Sequence, residues 1–235
     1  REHRPLVYWR FETETDGIVP NEMGEKWSAK ITQSPGDETT VTSEPTITVK
    51  QGRLNLQRGD AARCVISDEP IQGLDASDFA IEFWMNPDDL EHSHCVGLTP
   101  FLMTEPMAYL SVVEIVTDTF LIHQPGSLRV LYRNPPGRRH EYGKNVFSPG
   151  MVTPGQWHHV TMVNSEDALS LYLNGKLVRS LDSEMGNEPT SPEGFRIILG
   201  QLTKDLAMRQ FAGAIDEFAL YDRALEPSEI LEHYQ

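Results

Sequence analysis

The segment LSLYLNGKLVRS, residues 169–180, leaves little freedom of local structure. Leu169, Leu171 and Leu173 alternate with Ser170 and Tyr172, the two-residue period of a strand with one buried and one open face. Asn174-Gly175 then supplies the positive φ angles that a tight type I′ turn demands. Such a hairpin must cover its apolar face with another layer, which commits its surroundings to a stacked β architecture.

The same texture recurs along the chain. Short apolar or alternating runs appear at VYWRFE (7–12), SAKITQ (28–33), TITVK (46–50), ARCVIS (62–67), DFAIEFWMNP (78–87) and CVGLTPFLM (95–103). They continue at LSVVEIVTDTFLI (110–122), LRVLYRN (128–134), WHHVTMVN (157–164), FRIILG (195–200) and FAGAIDEFALYD (211–222). Turn residues separate them, as expected of many short antiparallel strands. One helix is expected, in LEPSEILEHY (225–234), with Pro227 in its first turn and Glu229 facing the positive end of the dipole. Glu226 would be a weak cap there. No repeat or linker divides the 235 residues. We therefore expect one domain, 1–235, all-β, a two-sheet antiparallel jelly-roll sandwich with a short C-terminal helix.

A net charge of −15, from 35 acidic and 20 basic residues, argues against nucleic acid and anionic membrane partners, which both want a basic face. It suits a cation-binding surface or simple solvation. No apolar run approaches the ~18 residues of a membrane span, so no membrane insertion is expected. The chain opens on REHRPLVYW, without Met or a signal-like segment, and is expected to be attached to a larger chain. Cys64 and Cys95 match no zinc spacing, and either a bridge or two buried thiols fits them.

Three motifs carry a family resemblance. DFAIEFWMNP, GQWHHVTMVNSEDALSLYLNGKLVRS and GAIDEFALYDRALEPSEI together resemble the LamG-like (laminin G type 3) domains of the concanavalin A-like lectin/glucanase superfamily. VYWRFE is similar to the family's first strand, so matched segments run from Val7 to about Leu231. The resemblance implies a jelly roll and a binding or adhesion role with glycan or protein ligands. The loop YRNPPGRRHEYGKNVFS (132–148) resembles LamG-like domains at the C-terminal end of bacterial FecR-type envelope proteins, which implies an extracytoplasmic place: periplasmic, cell surface or secreted.

Catalysis is not expected. Glycosidases of this superfamily carry acids spaced by one residue on one strand, since only i and i+2 share a face and two carboxylates must flank the scissile bond. The one such run, Glu12-Thr13-Glu14-Thr15-Asp16, ends the first strand and enters a Gly turn, while AIEFWMN carries only Glu82. His158 and His159 are adjacent, so they should point to opposite faces and serve the structure. Arg58-Gly59-Asp60 spells an adhesive tripeptide but precedes a strand, and no adhesive role is assigned to it.

Three candidate sites remain. In related glucanases of the superfamily a closing-strand Asp and a first-strand Glu bind calcium; the matching residues are Asp216 and Glu12, with a hydrogen-bonded structural anchor as the alternative. Alternation puts Asp216 on a buried face with Phe218 and Leu220, and Glu217 on the opposite face with Ile215 and Tyr221. Glu82 and Trp84 share a face opposite Phe79, Ile81, Phe83 and Met85, and with Tyr172 they could receive a sugar; alternatively Trp84 packs under a loop. Arg138, Arg139 and Tyr142 form a local basic cluster suited to an acidic glycan or protein, or an ordinary solvated loop. The expectation is a non-catalytic carbohydrate- or glycoconjugate-binding module of an exported or envelope protein. The alternatives are a protein-interaction or spacer module and a degenerate glycoside hydrolase.

Overall fold

In the computed structural model, residues 4–33, 46–102, 108–117, 123–137, 143–182 and 191–235 are described. Their strands are β1 (Val7–Trp9), β2 (Ile18–Val19), β3 (Ala29–Gln33), β4 (Ile47–Val49), β5 (Leu54–Leu56), β6 (Arg63–Ser67), β7 (Phe79–Pro87) and β8 (Ser93–Pro100). The series continues with β9 (Tyr109–Val116), β10 (Ser127–Gly137), β11 (Gly143–Phe147), β12 (His158–Asn164), β13 (Ala168–Leu173), β14 (Lys176–Asp182), β15 (Phe195–Leu199) and β16 (Gly213–Tyr221). One helix, α1 (Pro227–Tyr234), follows.

Two antiparallel sheets stack on one core. The first runs β14-β13-β12-β7-β16-β5-β4, with β1 also paired to β16; the second runs β11-β10-β9-β8-β15-β6-β3-β2. Long crossovers between sequence-distant strands give the jelly-roll-like arrangement expected from the pattern. The hairpin forms as its sequence dictates, with Asn174 at φ 52° and Gly175 at φ 72° between β13 and β14. Phe79, Ile81, Phe83 and Met85 of β7 face Val160 and Met162 of β12, Leu169, Leu171 and Leu173 of β13, and the inner residues of the second sheet. Trp9 meets Phe218 with ring centroids 5.0 Å apart. Burying each such large side chain contributes about 1.5–3 kcal/mol.

Helix α1 lies on the outer face of the first sheet. Ile230 is fully buried there with Ala80, Val163, Tyr172, Ala219, Tyr221 and Leu225. Glu229 reaches back to the Glu226 backbone at 2.9 Å and grips Arg223 through both oxygens at 2.8 Å, so Glu226 starts the helix with help from its third residue.

β16 departs from simple alternation. Its register to β7 shifts between Asp216 and Ala219, and Glu217 sits at φ 49°. This is a β-bulge, which places two consecutive side chains on one side. Ile215, Phe218 and Leu220 point into the core, while Asp216 and Glu217 are both half-buried on the outer side. The expectation that Asp216 points inward beside Phe218, with Glu217 opposite, is thus corrected. The extra residue lies between the part of β16 that pairs with β5 and the part that pairs with β1.

Cys64 and Cys95 are separate buried thiols. Burial pushes the Cys64 thiol up to about 11 and Cys95 higher still, so neither is a ready nucleophile.

Candidate functional site

A cleft of about 430 Å³ opens on the outer face of the first sheet, between β1 and the last turn of α1. Alternation builds its floor. Across one row of the sheet the register reads Tyr8, Ala219, Glu82, Thr161, Tyr172. All five point outward because their neighbours Val7, Trp9, Leu220, Ile81, Phe83, Val160, Met162, Leu171 and Leu173 fill the core. Tyr8, Glu82, Trp84, His159, Glu217, Tyr221 and His233 line the cleft, with Arg4, Pro5 and Met23 along its edge.

Glu82 is the best-connected group in it. Its Oε1 meets His159 Nε2 at 2.9 Å and accepts from the Thr161 hydroxyl at 3.3 Å. Its Oε2 meets His233 Nδ1 at 2.8 Å and accepts from the Tyr221 hydroxyl at 3.2 Å. Only 5% of Glu82 is exposed. Burial alone would raise its pKa, but hydrogen bonds and charge from His159 and His233 outweigh that and hold it at about 2. The same carboxylate raises His233 above its ordinary value, through a hydrogen bond that outweighs burial.

Glu217 behaves differently. Its Oε2 accepts from the Tyr8 hydroxyl, and Oε1 lies 3.4 Å from Arg10 Nε. Burial raises its pKa. Two carboxylates therefore share the cleft: one with both oxygens committed to protein donors, the other with acceptor capacity to spare.

Trp84 lies on the expected face. Its ring stacks on Tyr234 at 5.8 Å and 22°, and touches the His159 ring at 5.0 Å. It is covered in part by the helix rather than by a loop. Tyr172 shares the face but is only 7% exposed, beneath Ile230. The expectation that it offers a sugar-stacking ring is corrected: α1 crosses that end of the row and takes Tyr172 as its own packing partner.

Glu12 and Asp216 come close enough that Glu12 helps raise Asp216 to about 6, after the larger effect of burial. Asp216 Oδ1 accepts from the Glu217 backbone N–H at 2.8 Å, and Arg10 lies 3.4 Å from Glu12. The run Glu12 to Asp16 follows β1 without being a strand, and Asp16 takes φ 53°. Arg138, Arg139 and Tyr142 lie outside the described residues. His158 and His159 do face opposite ways, His158 pairing with the Thr153 backbone and His159 with Glu82. Arg58 of the tripeptide is held by Asp89 at 2.5 and 2.9 Å.

Sequence reasoning missed His233, Tyr234, Tyr8, Tyr221 and Glu217. His233 and Tyr234 stand three and four residues after Ile230, the spacing that shares a helix face, so they were within reach. Alternation places Glu217 on the open face without giving it a role; the outward turn of Asp216 beside it was out of reach, since the bulge that causes it has no local signature here.

A family model, Laminin_G_3 of the concanavalin A-like lectin/glucanases superfamily, matches residues 58–231. No match was found among curated protein sequences. Solved structures share the fold. The binding domain of botulinum neurotoxin serotype G superposes with a TM-score of 0.66 at 12% identity, over 98% of this chain and 50% of that one. A Trypanosoma rangeli sialidase in complex with sialic acid gives 0.66 at 13% identity, over 97% and 32%. The chain thus spans about half and about a third of those two molecules. Domain 4 of AbnA, a GH43 extracellular arabinanase from Geobacillus stearothermophilus in complex with arabinotriose, gives 0.61 at 16% identity, over 99% and 98%. With its two-sheet fold and a model match over most of its length, the chain belongs to the Laminin_G_3 family of the concanavalin A-like lectin/glucanases superfamily.

Proposed function

We propose that this domain is a non-catalytic carbohydrate-binding module of an exported or cell-envelope protein, and that it takes a sugar in the cleft between β1 and α1. The observation that carries this is the cleft's composition: the rings of Tyr8 and Trp84 beside Glu217, an acceptor with capacity left for ligand hydroxyls. Flat apolar surface and a few placed polar groups are what a small-ligand site requires. Glu82 supports the non-catalytic part, because its four protein partners leave it no free lone pair for attack. The arabinotriose carried by the similar arabinanase domain supports the ligand class. A glycan array with arabinotriose included, read with and without calcium, tests it. We expect selective binding, and Glu217→Gln to weaken it about tenfold, or ~1.4 kcal/mol, without loss of fold. Uniform silence on the array would transfer the assignment to the protein-interaction or spacer role of a FecR-type envelope protein.

We further propose that Glu12 and Asp216 hold a structural calcium ion. Burial raises Asp216 most and nearby Glu12 adds to the rise, so a cation between the two carboxylates would relieve that added part. Among the described residues no three His, Cys, Asp or Glu side chains gather for a metal, so carbonyl and water oxygens would complete the shell. Calcium at a hundred times its Kd is expected to add about 2.7 kcal/mol and raise Tm by roughly 5–10 °C. Asp216→Ala should abolish the shift, and a wild-type Tm indifferent to millimolar calcium would rule the site out.

A further inference from the structure

The face of Trp84 is already occupied. Tyr234 stacks on it at 5.8 Å with the planes 22° apart, and also touches the His159 ring at 5.9 Å. Yet Tyr234 remains 37% exposed. It holds the place that a pyranose or furanose ring takes when it lays its apolar face on a tryptophan and leaves its hydroxyls in water. The contact continues directly from the cleft, because Trp84 and His159 line the cleft as well.

The last turn of α1 is also attached differently from the rest of the helix. Ile230 anchors the helix in the apolar cluster, and Arg223 clamps its first turn through Glu229. The last turn is held by partly exposed contacts: His233 to Glu82 and the Tyr221 ring, Tyr234 to Trp84 and His159, and Leu231 beside Gly175, with Leu231 and Tyr234 both still exposed. Beside it, Gly175 of the hairpin leaves the space that Tyr234 fills, since a Cβ there would come within 3.0 Å of the Tyr234 ring. The turn can therefore be displaced while the helix stays docked through Ile230.

We propose that Tyr234 is a built-in cap on a second sugar-stacking subsite, formed by Trp84 and His159, and that a carbohydrate must displace it to occupy the full length of the cleft. This rests on the carbohydrate reading of the cleft and adds to it an internal competitor. A competitor lowers apparent affinity by the fraction of molecules in which the subsite is closed. An aromatic pair of this kind contributes about 0.5–1.5 kcal/mol beyond its buried area, so its removal is worth roughly two- to tenfold.

The test compares wild type, Tyr234→Ala, Tyr234→Phe and the double variant Tyr234→Ala/Trp84→Ala, by calorimetric titration with arabinotriose and on one glycan array. Circular dichroism and Tm confirm folding, which Ile230 should secure in each. Tyr234→Ala is expected to bind about two- to tenfold more tightly than wild type, or to bind glycans on which wild type is silent. Tyr234→Phe should match wild type, and the double variant should lose the gain. Wild type binding with Tyr234→Ala equal or weaker overturns the cap and leaves the carbohydrate reading standing. Silence of wild type and Tyr234→Ala alike overturns both.

Discussion

Glu114→Ala is expected to destabilise the domain by about 3–5 kcal/mol, with Tm falling by roughly 6–20 °C. Glu114 is fully buried on the outer side of β9 and is the one acid in a ring of four bases. Arg129 meets its Oε1 at 2.6 Å; His94, His92 and Arg209 meet its Oε2 at 2.7, 3.2 and 3.2 Å. Burial would raise its pKa, yet His94, His92 and Arg129 together hold it well below the ordinary range. Removing the carboxylate strands an arginine and two histidines on a covered surface. A buried charge left without its partner costs more than the pair ever contributed. Arg209 is the most exposed of the four and can turn to water, which keeps the loss from growing further. Glu114→Gln, which keeps shape and accepts hydrogen bonds without the charge, should lie in between. A urea-unfolding difference under about 1 kcal/mol for Glu114→Ala would show that the ring is decoration.

Most of the fold was legible because it rests on two local rules. Alternation placed Phe79, Ile81, Phe83 and Met85 inward and Glu82 and Trp84 outward, and the structure agrees at each position. Asn174-Gly175 named its own turn. The site was legible only in part, because it depends on how distant segments meet. Tyr172 obeyed alternation and still became core, since α1 returned to cover it. Asp216 broke alternation through a single extra residue in β16, which set it on the outer side next to Glu217. The bulge falls where the part of β16 paired with β5 meets the part paired with β1, and no residue within GAIDEFALY announces it. Glu82 was singled out for the right face, but its partners His159 and His233 come from 77 and 151 positions further along, pairings that only tertiary structure supplies.

Acid is expected to unfold the domain through Glu82, and the sign follows from its partners. Its pKa is about 2 in the fold against an ordinary 4.5, so it stabilises by on the order of 3 kcal/mol above pH 4.5. That contribution is lost as pH falls from about 4.5 toward 2, and Glu114 titrates in the same direction. His233 works from the other side. The groups facing it are Glu82 from β7 and Glu229 and Glu232 from its own helix, with the Tyr221 ring stacked alongside. Its raised pKa gives stability that is complete below 6.5 and fades as pH climbs through the raised value. The pair is thus strongest between about pH 4.5 and 6.5. Asp216 opposes the acid limb, because its pKa is raised to about 6 and its cost disappears as it takes up a proton. Urea midpoints from pH 7 down to 2.5 for wild type and Glu82→Gln separate these effects. Glu82→Gln should be less stable near pH 6, yet the gap should narrow as pH drops below about 4.5, since the unfolded wild type then takes up a proton that the folded carboxylate still refuses. A gap that stays constant across the whole range would mean that Glu82 holds α1 by shape and hydrogen bonding, with no part played by its charge.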